Sequence, residues 1–125
     1  MPTARSLAPL VVLTLLVPLA AAETFTGTIR QGETQTFVID RRSEVCLQVI
    51  TTHTVTLTHE PTTDELILVV SGQGAQRTEG GFAQTSFTTS TSCAFFVVHV
   101  IGANVADEAA FTLDVAHGGG GGEPI

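Results

Sequence analysis

Short stretches of alternating polar and apolar residues, separated by turn residues, recur along most of this chain. The clearest covers residues 53–59, where Val55 and Leu57 alternate with threonines. Successive side chains of a β-strand point to opposite faces, so this alternation predicts a strand with one buried face. The one candidate helix, at residues 105–110, is shorter than the ~12 residues at which an isolated helix becomes marginally stable. We predict a loop there.

Eight strands are predicted at the spacing of about 8 to 12 residues that is typical of a β-sandwich or barrel. The segment 71–81 is Gly-rich and polar, and we predict a loop or a weak hairpin for it. The chain is therefore expected to be all-β and antiparallel. The predicted strands are residues 24–30, 33–39, 44–50, 53–59, 66–70, 83–89, 94–101 and 109–115.

Residues 1–22 have the features of a secretory signal peptide. Arg5 gives a positive start, residues 7–19 are mainly apolar, and three consecutive alanines supply the small residues that a signal peptidase recognises. The apolar run is shorter than the ~20 residues that a membrane-spanning helix needs. We therefore expect cleavage after Ala22 and a mature chain that is secreted or otherwise outside the cytoplasm.

Cleavage would leave one domain at residues 23–116 and a flexible Gly-rich tail at 117–125. The mature chain would carry four arginines, no lysine and twelve carboxylates, which is a formal charge of −8. Nucleic-acid affinity comes mostly from lysine and arginine contacts with phosphates. The composition therefore argues against a nucleic-acid partner.

Metal or hydrolase chemistry would draw on the histidines and carboxylates between positions 53 and 65. His53 and His59 share one strand face but lie at its opposite ends, too far apart for one tetrahedral zinc ion. No HExxH or paired Cys-x-x-Cys pattern completes such a site. We interpret these two histidines, together with Glu60, Asp64 and Glu65, as strand-end polar residues in solvent.

A calcium site at Asp64 and Glu65 stays open as an alternative, because carboxylate and carbonyl oxygens are the ligands that calcium prefers. Calcium takes about six to eight oxygens, and few acidic groups lie nearby, so we expect no resident cofactor. Ser71 and the hydroxyl-rich run 85–92 lack a GxSxG motif. His99, inside an apolar strand, is interpreted as outward-facing or hydrogen-bonded within the fold. We predict no catalytic residue and no enzyme activity.

Cys46 and Cys93 are predicted to form a disulfide, because an exported chain meets an oxidising compartment and no Cys-x-x-Cys pattern competes. The alternative is a pair of free, buried thiols. If the apolar neighbours of each cysteine face the core, both cysteines point away from it. This orientation predicts a disulfide that joins two neighbouring strands near the surface of one sheet.

The motifs, taken in order, resemble the bacterial and archaeal pre-peptidase C-terminal domain, a β-sandwich of jelly-roll type that is often attached to secreted hydrolases. The resemblance covers nearly the whole mature chain. One departure is the acidic turn, which commonly has Asp-x-Asp-Leu in that family, whereas Leu66 directly follows Asp64 and Glu65. The similar motifs are Gly27, the turn at Gly32 and Glu33 with Phe37, residues 54–59 with 64–68, residues 95–100 and residues 111–115.

The resemblance implies a jelly-roll sandwich that acts as a stand-alone accessory or interaction module. We therefore expect a secreted, non-catalytic module that binds a protein or surface outside the cell, or that assists a secreted hydrolase. The alternative is a structural or envelope component that associates with copies of itself. Sugar binding is the weaker binding hypothesis, because the chain has no tryptophan or tyrosine to stack on a sugar ring.

Overall fold

Two four-stranded antiparallel sheets make up the part of the chain that the computed structural model describes, residues 22–42 and 45–118. These residues contain no helix, and so none long and apolar enough to cross a membrane. The strands are β1 (Ala22–Ile29), β2 (Thr34–Asp40), β3 (Thr51–Glu60), β4 (Glu65–Val70), β5 (Gly74–Arg77), β6 (Phe82–Thr89), β7 (Phe95–Asn104) and β8 (Ala109–Gly118).

The strand order is that of a jelly roll. The first sheet has the order β1-β8-β3-β6 and the second has the order β2-β7-β4-β5. All connections except the β4–β5 hairpin cross from one sheet to the other, as in a pair of Greek keys. The predicted all-β, antiparallel sandwich of about eight strands is confirmed.

One apolar core lies between the two sheets. In β3 and β8 the odd-numbered side chains face inward, so Val55 and Leu57 pair with Val115 and Leu113 in register and are fully buried. Burial of such branched side chains contributes about 1.5–3 kcal/mol each. The even-numbered positions of β3 from 52 to 58 are threonines on the outer face, which is the alternation that the sequence predicts.

One predicted strand is wrong. Residues 45–50 form no strand, and Val45 and Leu47 are 83% and 41% exposed. The segment crosses between the sheets at one end of the sandwich, so its apolar side chains have no opposing sheet to pack against. The eighth strand is instead β5, in the Gly-rich segment, where it forms a hairpin with β4.

The C-terminal strand is longer than predicted. β8 continues to Gly118, so His117 and Gly118 belong to the first sheet rather than to the tail, and His117 is buried. Residues 105–108 form a loop, as predicted. Most of the expected signal peptide, residues 1–21, and the remaining tail, 119–125, lie outside the described residues.

The connections gather at two ends of the sandwich. Four turns at 30–33, 61–64, 78–81 and 105–108 share the first end, which we call the acidic end. The connections at 41–42 with 45–50, 71–73 and 90–94 share the other end, which we call the stapled end. At or beside the acidic end lie seven carboxylates and two arginines: Glu33, Glu60, Asp64, Glu65, Glu79, Asp107, Glu108, Arg30 and Arg77.

Candidate functional site

The predicted disulfide between Cys46 and Cys93 is present, with the two Cα atoms 5.1 Å apart. Its predicted position between neighbouring strands is wrong. Cys46 lies in the connection between β2 and β3, and Cys93 lies in the connection between β6 and β7. The bond therefore ties together two crossing segments at one end of the sandwich, where the sheets themselves provide no ladder of hydrogen bonds.

Ser92 holds the same loop through three hydrogen bonds. The Leu47 amide donates to the Ser92 Oγ at 2.8 Å, and that hydroxyl donates to the Val45 carbonyl oxygen at 3.2 Å. The Ser92 amide donates to the Leu47 carbonyl oxygen at 3.0 Å. The loop that carries Cys46 is therefore fixed both by a covalent bond and by backbone contacts.

Exposed hydrophobic side chains concentrate at this end. Of the six large ones exposed in the described residues, five lie in or near the stapled end, and Phe82 lies at the acidic end. Exposed apolar clusters on a monomeric protein commonly mark sites of interaction. The five are Val38, Val45, Leu47, Ile50 and Phe95.

A charged pair borders this cluster. The Arg42 guanidinium lies 4.3 Å from the centroid of the Phe95 ring and donates two hydrogen bonds to the Asp40 carboxylate, both 2.9 Å long. These hydrogen bonds to Arg42 lower the pKa of Asp40 to about 2. The pair is exposed to solvent, so it positions the guanidinium over the ring more than it stabilises the fold.

Below the stapled end, a row of hydrogen bonds crosses the whole first sheet. The Nδ1 atom of His53 in β3 lies 2.9 Å from the Nδ1 atom of His117 in β8. Further out, His117 Nε2 lies 2.9 Å from a carboxylate oxygen of Glu23 in β1, and His53 Nε2 lies 2.8 Å from the hydroxyl of Thr89 in β6. The row thus follows the strand order β1-β8-β3-β6. We call these four side chains the histidine row.

Apart from this row and Arg41, the environment of His53 is apolar and aromatic. The side chain is fully buried, and its ring centroid lies 5.0 Å from that of Phe87 and 5.4 Å from that of Phe96. Burial, with smaller contributions from the charges of His117 and Arg41, lowers the pKa of His53 to about 4. His53 is therefore a neutral imidazole at pH 7.

The interpretation of residues 53–65 as solvated polar groups is wrong for three side chains. His53, His59 and Asp64 are buried, at 0%, 4% and 8% exposure, whereas Glu60 is exposed. Both histidines occupy inward positions of β3. They are buried near the ends of this strand because the connections cover those ends. The two histidines do lie on one face at opposite ends of the strand, as predicted.

The calcium alternative stays a prediction. The Asp64 Oδ1 atom accepts a hydrogen bond from the Ala106 amide at 3.4 Å, and its Oδ2 atom is buried without a hydrogen-bond partner in the structure. Glu65 forms an ion pair with Arg77. Among the described residues, no three His, Cys, Asp or Glu side chains are arranged to hold a metal ion.

Several of the hydroxyls considered for catalysis have structural partners. The Ser71 Oγ accepts a hydrogen bond from the Val97 amide at 3.1 Å, and the Thr89 hydroxyl donates to the Thr91 carbonyl oxygen at 2.7 Å. His99, which points outward from β7, is bonded to the Thr36 hydroxyl at 2.9 Å, as its interpretation predicted. These hydrogen bonds give Ser71, Thr89 and His99 a structural role in the fold.

A shallow cleft of about 400 Å³ lies at the acidic end. Phe82, which is 48% exposed, forms one wall, and Glu60 and the hydroxyls of Thr58, Thr62 and Thr112 form others. The cleft combines one aromatic ring with polar groups, but a single phenylalanine gives less stacking area than tryptophan or tyrosine would. The stapled end carries the larger apolar surface.

No protein-family model matches the chain, and no curated protein matches it. Solved structures of similar shape include PliG from Aeromonas hydrophila, a periplasmic inhibitor of g-type lysozyme, with 15% identity, a TM-score of 0.47, and coverage of 78% of this chain and 87% of that chain. FLHE has 13% identity, a TM-score of 0.42, and coverage of 78% and 96%. A family two carbohydrate esterase from Cellvibrio japonicus has 9% identity, a TM-score of 0.40, and coverage of 79% and 34%. At these identities and scores, the likeness says nothing about what this chain binds.

Proposed function

We propose that this chain is a secreted, non-catalytic module that binds a protein outside the cell through its stapled end. The observation that carries the proposal is the gathering of five exposed hydrophobic side chains at one end of the sandwich. The disulfide and the Ser92 contacts hold the loop that carries Val45 and Leu47. A loop that is already fixed loses less conformational entropy when it binds, which favours affinity.

The charge distribution indicates the chemistry of the partner. Seven carboxylates against two arginines make the acidic end negative, whereas at the stapled end Arg41 and Arg42 are set against Asp40, Glu23 and, by its place in the sequence, Glu44, which leaves that end far less negative. Such an asymmetric field orients a protein during encounter, with the less negative end toward an acidic surface. We therefore propose a protein partner with an apolar patch and carboxylates at its rim. A secreted hydrolase, as the family resemblance implies, is one such class of partner.

Site-specific photo-crosslinking in the native host tests the proposal. A photoreactive residue at Leu47 should give one defined adduct, whereas the matched control at Phe82, an exposed apolar position at the opposite end, should give none. The Leu47 adduct should disappear when Cys46 and Cys93 are both replaced by serine. Equal labelling from Leu47 and Phe82 would contradict the proposal.

The mass of the adduct also separates the alternative. An adduct of twice the mass of the mature chain, matched by a dimer in analytical ultracentrifugation that Leu47→Ser dissociates, would favour the self-associating structural component instead. Mass spectrometry of the exported protein tests secretion, because the expected cleavage leaves Glu23 as the first residue. An exported protein that still begins at Met1 would contradict the signal peptide.

A further inference from the structure

The histidine row needs one more proton than its neutral side chains carry. It contains four hydrogen bonds, which join Glu23 to His117, His117 to His53, His53 to Thr89, and Thr89 to the Thr91 carbonyl oxygen. A neutral imidazole and a hydroxyl each donate one proton. Two neutral imidazoles and one hydroxyl therefore supply three donors for four bonds, and both ends of the row are acceptors.

The direction of the bonds places the extra proton. The Thr89 hydroxyl donates to Thr91, so its oxygen accepts from the Nε2–H group of His53. His53 is neutral, so its Nδ1 atom accepts from the Nδ1–H group of His117. His117 then donates from both ring nitrogens, and its second donor faces the Glu23 carboxylate. The row closes with His117 as an imidazolium ion.

We propose that the folded sandwich keeps one buried proton on His117, paired with Glu23 across the β1–β8 pair, and that a second proton on His53 opens the stapled end in acid. Protonation of His53 would bring two N–H donors and two like charges together at a contact that is now 2.9 Å long. The two rings would have to separate.

The surroundings of His53 explain why separation affects the stapled end. The groups that face it are His117 from β8, Arg41 after β2, Phe87 and Thr89 from β6, and Phe96 from β7. Arg41 adds a further positive charge. The Glu23 carboxylate contacts His117 rather than His53, so its negative charge is on the far side of the His117 ring. Phe96 adjoins the exposed Phe95, and Thr89 leads into the connection that carries Cys93 and Ser92. Any effect of this opening on partner binding rests on the proposed function, whereas the protonation states of His53 and His117 do not.

Ring-nitrogen NMR of the mature protein tests the first half. At pH 7, both ring nitrogens of His117 should carry a hydrogen, and His53 should carry one on Nε2 alone. A neutral tautomer of His117 would overturn the assignment. This measurement uses the wild-type protein, so it does not depend on whether a variant folds.

Denaturant unfolding between pH 7 and pH 4 tests the second half. Between pH 6.5 and about pH 4 the unfolded chain protonates a histidine of ordinary pKa 6.5, while folded His53 takes up its proton only as the pH approaches about 4, so the folded state loses stability as the pH falls. The contribution of His53 is up to about a tenfold rise in the unfolding constant per pH unit. His53→Gln should remove this contribution, and His99→Gln, a change at the outward-facing histidine, should keep it. Equal pH slopes in all three proteins would overturn the proposal.

Amide hydrogen exchange locates the opening without a partner. The amides of Leu47 and Ser92, corrected for intrinsic rates, should lose protection at pH 4 relative to pH 6.5. The Val105 amide at the acidic end, which donates to Gln31, is the internal control and should keep its protection. Equal losses at both ends would overturn the acid opening, whereas a failed crosslink at Leu47 would overturn only the docking proposal.

Discussion

The acidic end and the stapled end of this sandwich hold their connections in different ways. At the acidic end, short turns are fixed by backbone and side-chain hydrogen bonds, as where Gln31 bridges the Ala103 carbonyl oxygen and the Val105 amide. At the stapled end, a longer crossing segment is held by a disulfide and by the hydrogen bonds of Ser92. A segment anchored in this way can present apolar side chains to solvent and still keep its position. The stapled end therefore combines exposed apolar side chains with a fixed backbone, which is what the proposed docking requires.

Removal of the disulfide should have the largest effect. Replacing both Cys46 and Cys93 by serine should lower the free energy of unfolding by about 4 kcal/mol, because the bond closes a loop of 47 residues in the unfolded chain. Denaturant unfolding measures the change. Hydrogen exchange in the same variant should show the Leu47 amide losing more protection than the Val105 amide. A cost below about 1 kcal/mol would mean that the stapled end does not depend on its covalent bond.

A methyl group at Gly102 should damage the acidic end selectively. A Cβ atom at this position would overlap the carbonyl oxygen of Arg30, which is rigid backbone. Gly102→Ala should therefore cost about 1–3 kcal/mol in thermal or denaturant unfolding. Gly118→Ala is the matched control, because nothing lies within 4 Å of the added atom, and it should be nearly neutral. Equal costs for the two variants would show that the turn at 30–33 is not tightly packed.

Loss of the Gln31 bridge should have a smaller effect. Gln31→Ala removes the 3.0 Å bond to the Ala103 carbonyl oxygen and the 2.7 Å bond from the Val105 amide, and should cost about 1 kcal/mol. Gln84→Ala is the control, because Gln84 donates to the Thr56 hydroxyl on the exposed face of the first sheet. If Gln84→Ala lowers the free energy of unfolding as much as Gln31→Ala, the hydrogen bonds of the Gln31 side chain do not hold the acidic end together.

Removal of metal ions by a chelator should change the stability least. We expect EDTA to shift the melting temperature by no more than about 2 °C. A larger shift would require that the folded state binds a metal ion and that EDTA removes it. A drop of about ten degrees that calcium reverses would show that Asp64 and Glu65 hold an ion, and that the acidic end is also held by a ligand.

The sequence predicted the elements whose signal is local. The alternation at residues 53–59 was enough to predict β3 and its buried face, and an even number of cysteines with the expectation of export was enough to predict the pairing of Cys46 with Cys93. The strand predicted at 44–50 failed because alternation describes a side-chain pattern and does not show whether an opposing sheet exists. Only the tertiary fold decides that.

The histidine row was missed for a different reason. It depends on the register of four strands, and its outermost bond joins residues 94 positions apart. One local signal was nevertheless available. His53 has the same parity as Val55 and Leu57, which predicts that it is buried with them. His117 gave no such signal, because the glycines that follow it suggested a tail.

The placement of β8 has a consequence for how the molecule folds. This strand is the last in sequence, yet it lies between β1 and β3, and its register pairs Ala22 with Ala116. The first strand therefore has no sheet partner until almost the whole chain is available, and pairings between such distant residues form slowly. If the chain is exported as expected, the N-terminal strand would stay unpaired until β8 is available. The expected cleavage point after Ala22 would then stay open to a peptidase until the final strand inserts and closes the sheet.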